Sequence, residues 1–218
     1  MNYEKLRNAL SDGLLSFPIT DMNKDGNFDA PSFTERLKWF ASHEISTVFV
    51  AGGTGEFFSL SKQEYKDIVG ISAATIKNVP VISSVGRSIP DAIEFAQMAE
   101  EAGIDGLLLM PPYLTECPKD GIFEYALAII SKTKLPVIYY NRANGVLSAG
   151  EVQQLADRCL NFVGLKDGTG NIQDLNDIIK STGNRLVYIG GVPTAEIISE
   201  AYLSIGVNTY SSAVFNFV

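Results

Sequence analysis

A chain of 218 residues, 46% hydrophobic and 19% charged, suffices for one soluble domain with a sizeable core, and 1–218 reads as a single domain. A net charge of −8 without a basic cluster argues against a nucleic-acid partner, and no apolar run approaches the roughly 18 residues a membrane span needs. One histidine and two cysteines, Cys117 and Cys159, make neither a usual zinc site nor a disulfide framework, so the thiols read as reduced and the protein as cytoplasmic.

The first residues, Met1 to Lys5, open an amphipathic stretch rather than a secretion signal. An apolar run over Leu14–Thr20 predicts the first strand. The string Asp21-Met22-Asn23-Lys24-Asp25-Gly26 resembles the start of a calcium loop, but its twelfth position is Ser32, so it reads as a turn. Pro31 suits a first helical turn, and the helical pattern runs from Phe33 to His43. Because His43 precedes a strand, a Ser-His-Asp arrangement is nearly closed. The next strand, Thr47–Ala51, runs into Gly52-Gly53-Thr54-Gly55-Glu56. Ser61 with Glu64 forms a capping box, as does Ser148 with Glu151, and Pro90 opens another helix. Further strands are expected at Pro80–Val85, Gly106–Met110, Pro136–Tyr140, Phe162–Lys166, Leu186–Ile189 and Val207–Ser211.

These runs are too continuous for half-exposed strands, and they alternate with helices every 25–30 residues or so, which means a parallel sheet. Eight of them fit a closed (β/α)8 TIM barrel better than an open doubly wound sheet. The chain stops at Val218 with no helix after the eighth strand, so the expectation is a barrel truncated there, a fragment of a longer protein.

Polar and glycine residues cluster after the strands, on the face where barrel enzymes place their sites. Lys166 stands out because it ends a buried strand. An ammonium stripped of water there has a depressed pKa and becomes a nucleophilic amine, although a lysine that snorkels out or pairs with Asp167 would read the same way locally. The backbone N–H groups of the Gly52–Glu56 loop can converge on a small anion, or the loop is a bare tight turn. Tyr140 ends the fifth strand. If it points into the barrel, Tyr139 points to the helices, and the phenol can relay protons or simply pack. Arg142 can clamp a carboxylate or pair with a surface acid.

Taken together, Gly52-Gly53-Thr54-Gly55-Glu56, Tyr140-Asn141 and Gly164-Leu165-Lys166-Asp167 resemble the dihydrodipicolinate synthase and N-acetylneuraminate lyase family of class I aldolase-type enzymes. The similarity covers the whole chain in order and spacing. Within the family, Pro111-Pro112-Tyr113-Leu114, Tyr140-Asn141-Arg142-Ala143-Asn144-Gly145 and Tyr210-Ser211-Ser212-Ala213-Val214-Phe215-Asn216 resemble the branch that removes water and carbon dioxide from a 2-keto sugar acid. Leu114 stands where synthases usually carry a second tyrosine, and Gly145 where they use an arginine. Both departures point away from condensation with an aldehyde.

The resemblance implies a lyase in which Lys166 forms an imine with the substrate carbonyl, without metal or organic cofactor. It assigns proton relay to Tyr140 and carboxylate binding to the N–H groups of Gly53 and Thr54. Substrate contacts are expected at Gly55, Arg142 (far carboxylate), Gly190 and Ser211 (a hydroxyl). The base at carbon 3 stays open among Tyr140, Lys166 and a water. A homodimer or homotetramer is implied, as is a helical tail beyond the barrel. The rival readings are a retro-aldol lyase on a related acid and a catalytically silent barrel.

Overall fold

Strands that are apolar on both faces need cover on both, and here the sheet closes on itself with a helix between each pair of successive strands. The eighth strand is followed among the described residues only by a short 3-10 turn at Val214–Asn216 and stays half-buried. A computed structural model describes residues 3–112, 116–193 and 195–217. The strands are β1 (Leu15–Ser16), β2 (Thr47–Val50), β3 (Val81–Val85), β4 (Gly106–Leu109), β5 (Val137–Asn141), β6 (Phe162–Asp167), β7 (Val187–Gly190) and β8 (Thr209–Tyr210). The helices are α1 (Tyr3–Ser11), α2 (Ala30–Ala41), α3 (Lys62–Thr75), α4 (Ile89–Ala102), α5 (Lys119–Ile130), α6 (Ala149–Arg158), α7 (Ile172–Thr182) and α8 (Ala195–Ser204). All neighbouring strands pair in parallel in the order β1 to β8, and a parallel bridge between Ser16 and Ser212 joins the two ends. The chain is a (β/α)8 barrel. Among the described residues, no helix is long and apolar enough to cross a membrane.

Local chemistry sets the helix starts. Ser61 and Glu64 form the reciprocal capping box of α3, and Ser148 and Glu151 that of α6. Pro31 and Pro90 occupy the first turns of α2 and α4, whose caps are Asp29 and Ser88. The amphipathic start becomes α1, which buries Leu6 and Leu10. Asp21 does not belong to an ion loop, because its carboxylate takes both prongs of Arg36 at 2.7 Å. His43 lies exposed against the Trp39 ring, with the centroids 4.4 Å apart.

The end strands are shorter than expected. Instead of Leu14–Thr20, β1 pairs only over Leu15–Ser16, because Pro18 has no N–H to give a ladder. The Asn216 side chain substitutes for a strand partner there. Its Nδ2 donates to the Phe17 carbonyl at 2.9 Å, and its Oδ1 accepts from the Ile19 N–H at 3.2 Å. This side-chain patch continues the seam where paired strand has run out.

Candidate active site

Lys166 projects inward from β6, directly across from Tyr140 of β5 in the strand register. Its side chain keeps 6% of its exposure. Nζ lies 4.1 Å from the centre of the Phe17 ring and 4.6 Å from that of Tyr140. No carboxylate pairs with it among the described residues. Burial, with the Arg142 charge as the second cause, lowers its pKa from 10.5 to about 7. Pairing with Asp167 is ruled out by geometry. That carboxylate points to the opposite side of the strand and is engaged by Thr169, Gly170 and Tyr202.

Strand parity separates the two tyrosines as well. The Tyr140 hydroxyl donates to the Gly191 carbonyl at 2.8 Å, and its pKa is raised chiefly by burial, with Arg142 opposing. Tyr139 turns outward and donates to the Gly145 carbonyl at 2.8 Å.

A cavity of about 370 Å³ lies over the amine, lined by Phe17, Gly53, Thr54, Tyr140, Arg142 and Ser211 among others. That size suits a small metabolite. A second cavity of similar volume adjoins it and shares Gly53 and Arg142. The loop's internal bonds run from Glu56 N–H to the Gly53 carbonyl and from Phe57 N–H to the Gly52 carbonyl. They leave the N–H groups of Gly53 and Thr54 free of backbone partners among the described residues. Ala51 (φ 49°) and Glu56 (φ 57°) bracket the loop in the left-handed region, and Arg87 (φ 75°) and Ala143 (φ 50°) do the same after β3 and β5. These four, the non-glycine residues at positive φ among those described, lie on the face that carries Lys166. Such strain collects where the surroundings hold a backbone for a purpose. Arg87 secures the segment after the loop by donating to the carbonyls of Phe57 and Leu60.

Lys166, Tyr140, Gly53, Thr54, Arg142 and Ser211 therefore come together around one cavity, and two expected residues do not. Gly55 is buried against Ala51, and its carbonyl accepts from Thr20 Oγ1 at 2.7 Å. Gly190 faces outward, where an added Cβ would lie 3.0 Å from the Tyr202 ring. Its neighbour Gly191 is the cavity residue. A Cβ there would sit 2.5 Å from Lys166 Cε, so only glycine lets the lysine stem pass. One residue of register decides which face a strand position serves.

Sequence reasoning missed Phe17, Leu108, Glu196 and Ser212, all of which line the cavity. An apolar ring such as Phe17 at a strand end reads as core, and the signal was its position beside the barrel mouth. Tyr113 and Leu114 lie outside the described residues.

Gly145 bears on a further expectation. A Cβ at this position would lie 2.2 Å from Pro111 Cβ and 2.8 Å from the Tyr139 hydroxyl. An arginine cannot occupy it without rebuilding the loop. Gly145→Ala is expected to lower stability by roughly 1–3 kcal/mol through overpacking, measurable by urea denaturation.

Residues 10–218 match the family model described as the dihydrodipicolinate synthetase family. Relatives named probable 5-dehydro-4-deoxyglucarate dehydratase are 46% identical over 219 residues in Pseudomonas putida (strain W619) and 43% identical over 218 residues in Rhizobium rhizogenes (strain K84 / ATCC BAA-868). In both cases the match covers 100% of this chain and 72% of the relative. The crystal structure of dihydrodipicolinate synthase from Bacillus clausii superposes with a TM-score of 0.88 at 25% identity, covering 97% of this chain and 71% of that one.

Proposed function

The chain belongs to the dihydrodipicolinate synthetase family, and from that premise we propose that it is a lyase converting 5-dehydro-4-deoxy-D-glucarate to 2,5-dioxopentanoate, carbon dioxide and water. The observation that carries this reading is the Lys166 amine, which is buried, free of any carboxylate partner among the described residues, and lowered in pKa to about 7 by that burial. Relatives at 43–46% identity supply the substrate.

In the proposed scheme, the amine adds to the keto carbon and water leaves, giving a protonated imine. Carbon atoms are numbered here from the carboxyl group beside the ketone. The N–H groups of Gly53 and Thr54 hold that adjacent carboxylate, while Tyr140 passes a proton to the departing oxygen. The iminium acidifies carbon 3. Its proton is lost, and the resulting enamine expels hydroxide from carbon 4. In the conjugated iminium, the electrons of the carbon 5–carbon 6 bond flow toward nitrogen as carbon dioxide departs. Reprotonation, tautomerisation of the carbon 5 enol to an aldehyde, and hydrolysis of the imine release product and regenerate the amine. The iminium is the electron sink, so the scheme calls for neither metal nor organic cofactor. Arg142, standing between the two cavities, orients the far carboxylate, and Ser211 binds a hydroxyl.

Membership of the family supports a homodimer or homotetramer acting in the cytoplasm. The activity test is incubation with substrate and borohydride, followed by intact mass and peptide mapping, with released gas assayed in parallel. A reduced adduct on Lys166 with carbon dioxide release is the expected result. Pyruvate release in place of carbon dioxide would assign the chain to retro-aldol cleavage, and the absence of an adduct would overturn the imine reading.

A further inference from the structure

We propose that Asp167 and Tyr202 form a positioning pair that sets Lys166 and Tyr140 against each other and offsets the charge of the carboxylate behind the reactive amine. The inference rests on the imine reading, since it concerns how that amine is presented.

Asp167 follows Lys166 on β6, so its side chain leaves the opposite face of the strand. It is 2% exposed and no cation reaches it among the described residues. Its partners are all neutral donors. Tyr202 Oη of α8 donates at 2.6 Å and Thr169 Oγ1 at 2.7 Å, while the N–H groups of Thr169 and Gly170 donate at 3.2 and 3.3 Å. A buried carboxylate without a counter-ion is costly compared with an apolar residue of similar size. Its presence beside the nucleophile calls for a role beyond packing.

The backbone supplies that role. The Asp167 carbonyl accepts the Gly191 N–H at 2.6 Å. Gly191 in turn presses its α-carbon against the Lys166 stem and offers its carbonyl to the Tyr140 hydroxyl at 2.8 Å. The Tyr202 ring lies against Gly190, one residue earlier, and is 1% exposed. Tyr202 thus holds the end of β7 through its ring and the end of β6 through its hydroxyl. The spacing of those two strand ends fixes where Gly191 stands between the two reacting side chains. Burial, reinforced by the Asp167 bond, raises the Tyr202 pKa, so the phenol stays a donor throughout the working range.

The second consequence is electrostatic. The ionisable groups around Lys166 are Tyr140 on β5, Arg142 after it, Glu196 and Tyr202 on α8, and Asp167 itself. Arg142 favours the neutral amine. The Asp167 carboxylate stays behind the strand, from where its charge still favours the ammonium through space. Its four donors offset part of that charge, so the loss of one lets more of its field reach the amine.

Two variants test the pair, Tyr202→Phe and Asp167→Asn, each read by the rate of borohydride trapping against pH, by kcat and KM, and by thermal unfolding. Tyr202→Phe is expected to slow trapping and kcat about tenfold or more, to leave KM within about twofold, and to move the acid-limb midpoint upward. Asp167→Asn is expected to slow trapping without that upward movement, because it carries no charge. It also provides a reading should Tyr202→Phe fail to fold. Wild-type trapping rates and midpoint in the folded variants, with only a lower melting temperature, would make the pair merely structural and overturn the proposal. A wild-type chain that traps no imine at any pH would refute the imine reading itself, a result visible before either variant is made.

Discussion

Replacing Lys166 with methionine is expected to abolish borohydride-trapped adduct and to lower turnover by at least about 10³-fold, while making the protein more stable near neutral pH. Methionine keeps the apolar stem that threads past Gly191 and lies between the Phe17 and Tyr140 rings, so the loss is confined to the amine. No other lysine lines the cavity among the described residues, and the imine has no second donor. The stability gain follows from linkage. The folded-state pKa of about 7 lies below the ordinary value of 10.5, so between these values the unfolded chain binds the extra proton. Stability therefore rises with pH through this window. The penalty is fully present below about pH 7 and is gone above about pH 10.5. Its full size is roughly 4–5 kcal/mol, part of which methionine recovers. Calorimetry at pH 6 should show the variant melting several degrees higher than wild type, with the gap closing as pH rises. A variant that melts lower at pH 6 would mean that the site does not penalise a charged lysine.

The same pKa sets the kinetics. Imine formation needs the free amine, so trapping in the wild type should rise through about pH 7 and flatten above it, instead of climbing toward pH 10.5. A limb continuing past pH 9 would contradict the burial that defines the site.

Much of this was legible in the chain because the barrel is written in short-range signals. Continuous apolar runs, capping boxes at Ser61 and Ser148, and prolines in first turns each act over a few residues. The nucleophile was legible for the same reason, since a lysine that ends a buried strand stands out locally. What escaped depends on partners distant in sequence. That Lys166 does not pair with Asp167 follows from strand parity, but what the Asp167 carboxylate pairs with instead is set by Tyr202, 35 residues further along. The choice between Gly190 and Gly191 turned on where β7 begins, an offset that apolar content alone does not fix. Phe17 looked like core because its ring is core chemistry, and it reaches the amine only because β1 and β6 share the barrel interior. The short first strand was half-signalled by Pro18, but its replacement by the Asn216 side chain spans 199 residues and has no local trace.

Tyr140 provides the sharpest separation between a group that does chemistry and one that shapes its surroundings. Tyr140→Phe removes the hydroxyl and keeps the ring face over Nζ, so the amine remains desolvated. Trapping should slow by about 10²-fold or more, in the range lost when a positioned proton donor is removed, while its midpoint stays near pH 7. Tyr140→Ala removes the wall as well. Water then reaches Nζ, and the midpoint should move up toward the ordinary lysine value. The stability cost of the phenylalanine variant should be only about 1 kcal/mol, for the Gly191 carbonyl left without its donor. If Tyr140→Phe traps substrate at the wild-type rate, the phenol is packing and the proton passes by another path. If its midpoint moves as far as that of Tyr140→Ala, the hydroxyl rather than the ring is what keeps the amine dry. Phenylalanine removes the hydroxyl alone and alanine removes the ring in addition, so rate and midpoint together assign the two functions of this side chain.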